Sequence, residues 1–192
     1  MHESYARFLA NAGAALFLIS MPDLADTDPE SGLGPADEIE RLLTVYRNGV
    51  AELGGDTRGQ RLLVVFTKAD EWEALRRPDW RPLLEHVRAD SFDGLADHRR
   101  YRRRLREVSE HLRRFVTDDL KAQGFLNHAA HNFASLDFCV VSSLGSAPAG
   151  QHIQTEVAPR RVLDPLLWVL DPKLAGRPPH RAWLRQWLGR RR

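Results

Sequence analysis

A chain of 192 residues, 43% hydrophobic and 28% charged, can bury one sizeable core and is short for two. No run reaches the roughly eighteen apolar residues of a membrane span, and the start, Met1-His2-Glu3-Ser4-Tyr5, lacks the basic-then-apolar order of a secretory signal. A single cysteine, Cys139, within an apolar run, leaves no disulfide framework and no cysteine-based metal site, so the expected compartment is the cytoplasm.

In chain order, residues 3–11 carry Tyr5, Phe8 and Leu9 and read as the end of a short helix. It feeds Ala14-Ala15-Leu16-Phe17-Leu18-Ile19-Ser20, a continuous apolar run expected of a strand buried on both faces. Residues 21–35 are a loop by their Asp, Gly and Pro content. From Ala36, the apolar positions Ile39, Leu42, Leu43, Tyr46, Val50 and Leu53 keep helical spacing, with Pro35 in the first turn and Gly54-Gly55 as the C-terminal cap.

The second strand, Arg61-Leu62-Leu63-Val64-Val65-Phe66-Thr67, ends in Lys68-Ala69-Asp70. An apolar run that stops at polar residues delivers a loop to the carboxyl edge of a parallel sheet, where open α/β folds bind ligands. Beyond it, Trp72, Leu75, Trp80, Leu83, Leu84 and Val87 predict short helices interrupted at Pro78 and Pro82. Leu105, Val108, Leu112, Phe115, Val116 and Leu120 predict an amphipathic helix that ends before Gly124. Residues 125–135 fit no single pattern. Residues 136–141, Leu-Asp-Phe-Cys-Val-Val, predict a third strand emptying into Ser142-Ser143-Leu144-Gly145-Ser146. Asp164-Pro165 opens a last helix with Asp as its cap, and residues 171–192 are a Pro- and Arg-rich tail. The alternation of strands and helices predicts an α/β fold, a parallel sheet of about three strands flanked by helices, over residues 1–171.

These residues resemble a known family. The strand followed by Thr67-Lys68-Ala69-Asp70 looks like the N/TKxD guanine-specificity motif of P-loop GTPases of the Ras-like, translation-factor-related class. Ser142-Ser143-Leu144 looks like their following SAK or SAL loop. The gap of over seventy residues between the two motifs would make residues 88–124 a helical insertion. Pro165-Leu166-Leu167-Trp168 is similar to a helix near the end of some bacterial GTPase-like proteins. The resemblance covers the carboxyl-terminal half of such a domain and implies GTP or GDP as ligand, held at Thr67, Lys68, Asp70, Ser142, Ser143 and Leu144.

The chemistry can be stated without the family. Guanine presents an N1–H beside a 2-amino group, and one fixed carboxylate such as Asp70 accepts both, a pair of donors adenine does not offer. The aliphatic stem of Lys68 can lie across the base, the Thr67 hydroxyl can tie the loop to neighbouring backbone, and a backbone N–H at Ser143 or Leu144 can donate to guanine O6.

The phosphate machinery is missing from this sequence. GxxxxGKS/T does not occur, none of the three lysines follows a glycine, and no DxxG follows a strand early in the chain. Parts that would bind Mg²⁺ and position water are expected upstream of Met1, so the chain reads as a truncated or degenerate relative without hydrolysis of its own.

Other features compete. His128 and His131 stand three apart but lack a further ligand at motif spacing, so a metal site is not expected, and no GxSxG elbow activates Ser142 or Ser143. Asp23, Asp26 and Asp28 lack the pattern of a calcium loop. Arg99-Arg100-Tyr101-Arg102-Arg103-Arg104 and Arg190-Arg191-Arg192 suit phosphates or an anionic surface, although the commoner role of such runs is a solvated helix face or chain end. No specific nucleic-acid target is expected. Trp183, Leu184, Trp187 and Leu188 either dock back on the domain or meet a protein partner or membrane surface. A non-catalytic interaction module using the Arg-rich helix and this tail is the alternative to nucleotide binding, and an α/β enzyme of unrelated chemistry ranks third.

Overall fold

The computed structural model describes residues 8–24, 34–71, 77–89, 95–145 and 157–171. The tail with its tryptophans, Asp26, Asp28, Trp72 and Leu75 lie outside these residues.

Three strands, β1 (Ala14–Ser20), β2 (Arg61–Thr67) and β3 (Ser135–Val140), form a parallel sheet in the order β1-β2-β3. The register pairs Ala14 with Arg61 and Arg61 with Ser135, so the carboxyl ends of all three strands share one edge. The helices are α1 (Pro35–Glu52), α2 (Arg81–Arg88), α3 (His98–Asp118), α4 (Gln123–Asn132) and α5 (Asp164–Leu170). The expected α/β architecture is what the structure shows.

Local chemistry explains most of the boundaries. Pro35 opens α1, and Gly54, at φ +74°, closes it, with the Gly54 and Gly55 amides donating to Ala51 O and Val50 O. Pro82 does not interrupt its helix: it stands in the first turn of α2, where its missing N–H has no partner to lose, after a 3-10 turn over Pro78–Trp80. α3 ends at Asp118, short of the glycine expected to stop it. The reversal falls at Lys121, φ +55°, where the Leu120 and Ala122 amides donate to Phe115 O and Val116 O. Gly124 sits instead inside α4, the helix that residues 125–135 left unassigned, where a Cβ would meet Glu40 Oε2 at 2.6 Å.

The sheet has two unequal faces. Ala15, Phe17 and Ile19 of β1, Leu62, Val64 and Phe66 of β2, and Leu136, Phe138 and Val140 of β3 face the main core with α1, α2, α4 and the carboxyl half of α3. Leu63, Val65, Cys139 and Val141 face a smaller cluster with Tyr101 and Leu105 of α3 and Trp168 of α5. On that second face Leu16 and Leu18 of β1 remain exposed, Leu18 at 67%. The expectation of a first strand buried on both faces is therefore met on one face only.

The outer edges also differ. Against β3, Ser109 Oγ of α3 accepts from the Phe138 amide at 3.0 Å and Arg113 Nη2 donates to Leu136 O at 2.6 Å. These side chains take the place of a further strand. No described strand pairs with the outer edge of β1.

Candidate functional site

The loops after β2 and β3 leave the carboxyl edge side by side. Thr67 Oγ1 donates to Ile19 O at 3.4 Å and ties the end of β2 to β1, as its hydroxyl leads one to expect. Lys68 is exposed and adopts φ +54°, a left-handed conformation that costs a side-chain-bearing residue about 1–2 kcal/mol. Backbone of this kind, held by its surroundings, clusters at ligand sites. The turn closes through the Glu71 amide on Lys68 O at 3.0 Å, and the Ala69 amide donates to Val141 O at 3.3 Å, tethering the first loop to the start of the second.

Asp70 is partly buried, and its Oδ2 is shut away from solvent with no hydrogen-bond partner among the described residues. A carboxylate oxygen in that condition is costly unless donors reach it.

In the second loop, Ser142 is fully buried and committed to the turn. Its Oγ accepts from the Gly145 amide at 2.7 Å, and its backbone pairs with Arg160 in both directions. Leu144 O accepts from the Ala158 amide at 3.0 Å, and Gly145, at φ +81°, has Ala158 O where a Cβ would be, 2.2 Å away. Ser143 lies exposed at the tip. Of the six residues singled out by motif, Thr67 and Ser142 thus hold the loops in place, Leu144 lends its carbonyl to the turn, and Lys68, Asp70 and Ser143 belong to the adjoining loop tips.

His128 Nε2 meets Arg47 Nη1 at 2.8 Å and its Nδ1 lies 3.9 Å from Glu40, an arrangement that spends its nitrogens within the fold. Among the described residues no group of three or more His, Cys, Asp or Glu side chains is placed to hold a metal. Cys139 is buried in β3, and that burial pushes its thiol well above the usual range, so it stays protonated.

A second cluster carries no motif. Asp164, expected as a cap for α5, is the first helical residue; its side chain makes no capping bond and turns inward. Its Oδ2 accepts from His86 Nε2 at 2.9 Å and its Oδ1 from the Tyr101 hydroxyl, and all three side chains are buried. Arg104 Nε donates to His86 Nδ1 at 3.2 Å, and Arg161 Nε to His86 O at 2.9 Å. The Arg104 bond fixes the tautomer: Nδ1 accepts, so Nε2 bears the proton that Asp164 receives. Burial lowers the His86 pKa more than Asp164 raises it, and burial first, then Asp164, raises that of Tyr101. One signal for this cluster stood in the sequence: His86 occupies a core position between Leu83 and Val87, where a polar side chain needs partners.

No protein-family model, curated protein or solved structure matches the chain.

Proposed function

We propose that the loops after β2 and β3 bind the guanine base of GTP or GDP, as the resemblance to GTPases implies. The observation that carries this reading is Asp70: a carboxylate oxygen without donors, at the ligand-binding edge of a parallel sheet, beside a loop whose exposed tip is Ser143. Guanine N1–H and its 2-amino group supply donors to Asp70 once its side chain turns out of the position in which Oδ2 is buried. The stem of Lys68, set by its left-handed backbone, covers the base, and the tip amides of Ser143 or Leu144 reach O6. Thr67 and Ser142 position these groups. The reading is one of binding in a cytoplasmic protein; it assigns no hydrolytic step and no Mg²⁺ coordination to these residues.

Titration of the purified chain with GDP and with ADP tests it. GDP binds more tightly, and Asp70→Asn weakens GDP about 10–150-fold, the worth of a hydrogen bond to a charged group. Equal, weak binding of both nucleotides, unchanged by Asp70→Asn, refutes the assignment.

The alternative, a non-catalytic interaction module, is favoured by the uncovered Leu16 and Leu18 face of β1. Under that reading Leu16→Lys/Leu18→Lys abolishes partner capture and neither nucleotide binds. GDP binding retained by the double variant decides against it.

A further inference from the structure

The arginine run of α3 remains outside the base site. Arg100, Arg103 and Arg104, spaced i, i+3 and i+4, share one face of the helix and line a cleft of about 320 Å³ between α2 and α3, with His86 and Glu85 opposite and His111 at one end. Their neighbours in the run do otherwise: Arg102 pairs with Asp171, while Arg99 is exposed away from the cleft lining. An ordinary solvated face spreads its guanidinium groups, but this one gathers three of them into a concavity.

One of the three is also held from beneath. His86 fixes the Nε edge of Arg104 and is itself fixed by the buried Asp164, which Tyr101 braces from the other side. A buried His–Asp pair is weak evidence for stability, because desolvation offsets the attraction. Its visible product here is the orientation of an arginine at the floor of a cleft, and orienting groups in advance reduces what a ligand must supply on binding. Planar guanidinium groups match phosphoryl oxygens in pairs.

The walls narrow the ligand further. Glu85 is paired with Arg81 at 3.0 Å, and Glu107 stands 3.9 Å from Arg103. Carboxylates at the rim repel a long phosphate backbone yet accept from hydroxyl groups. α3 runs antiparallel to β3, Ser109 beside Phe138 and Arg113 beside Leu136, which places Arg100 to Arg104 toward the carboxyl end of the sheet but beyond its β3 edge.

We propose that this cleft is a second site, separate from the base loops, that binds the phosphoryl group of a small hydroxylated phosphate ester or diphosphate. Arg104, positioned by His86, Asp164 and Tyr101, meets the phosphoryl oxygens at the floor, Arg100 and Arg103 close over them, and Glu85 and Glu107 receive hydroxyl groups of the ligand.

Calorimetric titration of the full chain with inorganic pyrophosphate, at about 150 mM salt so that distant charges are screened, tests the proposal. Saturable binding of one pyrophosphate per chain is expected. Arg100→Gln/Arg103→Gln, two exposed changes that leave the buried cluster intact, weakens it about tenfold or more. The equal charge change Arg99→Gln/Arg114→Gln, outside the cleft, leaves it within about twofold. Asp70→Asn leaves it unchanged, so failure of the guanine assignment and failure of this one are read separately. No saturable binding, equal loss in both arginine pairs, abolition by Asp70→Asn, or retention of a single-stranded RNA homopolymer that pyrophosphate does not displace would each overturn the proposal.

Discussion

Asp164→Asn is the sharpest test of the buried polar cluster. The side-chain relative exposures of His86 and Asp164 are 1% and 0%, so solvent cannot replace what the substitution removes. Asn keeps the shape but has one acceptor oxygen for two donors, the His86 ring and the Tyr101 hydroxyl. Its amide nitrogen must face one of them. His86 cannot adapt by exchanging tautomers, because Arg104 already donates to Nδ1. Each hydrogen bond to the charged carboxylate is worth about 1.5–3 kcal/mol, so losing one and making the other neutral costs about 2–4 kcal/mol. At about 2–4 °C per kcal/mol for a chain of this size, Tm falls by about 4–16 °C. Urea denaturation should show a lower midpoint with an unchanged slope. In a double-mutant cycle with Tyr101→Phe the coupling should exceed about 0.5 kcal/mol. A destabilisation below about 1 kcal/mol, the least that leaving a buried polar group unsatisfied costs, refutes the assigned hydrogen-bond pattern.

Four further outcomes follow from the packing and hydrogen bonds of the fold. Ser109→Ala removes the only acceptor assigned to the Phe138 amide and should cost about 1–3 kcal/mol, with faster hydrogen exchange at Phe138; unchanged exchange there counts against the capping of β3. Because burial lowers the folded-state pKa of His86, the unfolded chain takes up a proton below about pH 6.5 that the native chain refuses. The contribution of His86 is therefore intact above that pH and lost as pH falls, so wild type should lose Tm more steeply than His86→Gln between about pH 7 and 5; parallel curves would contradict it. Gly145→Ala places a methyl group against Ala158 O in a left-handed conformation and should destabilise by more than about 1 kcal/mol, read by denaturation and by exchange of the Ser142 amide. Leu18→Lys should change stability by no more than about 0.5 kcal/mol while raising solubility, measured by concentration-dependent light scattering.

The strands were the most legible part of the chain. Their apolar runs are unbroken and end in polar loops, so both their positions and their parallel arrangement follow from pattern. Helix starts at Pro35 and the end at Gly54 were equally plain. Failures came where backbone conformation was not written in its usual residue. Lys121 takes the left-handed turn that Gly124 was expected to make, because Leu120 packs on the core and its carboxyl-terminal neighbours must reverse to reach α4. Asp164 looked like a cap because Asp before Pro usually is one; only the distant placement of His86 and Tyr101 reveals that its partners are side chains. The candidate base loop divides in the same way. Its motif residues could be named in advance, but that Ser142 is spent on the turn while Ser143 is exposed depends on Arg160, eighteen positions away, and no spacing rule reaches that far.

The capping of β3 by Ser109 and Arg113 has a consequence for assembly. A sheet with two open edges can lengthen without end, copy upon copy, but among the described residues this one leaves a single edge unpaired and uncapped, at β1. Two copies meeting there about a two-fold axis would place their β1 strands antiparallel, with an α3 helix sealing each far side. Among the described residues, edge-to-edge association through β1 would therefore end at a pair rather than extend into a fibre.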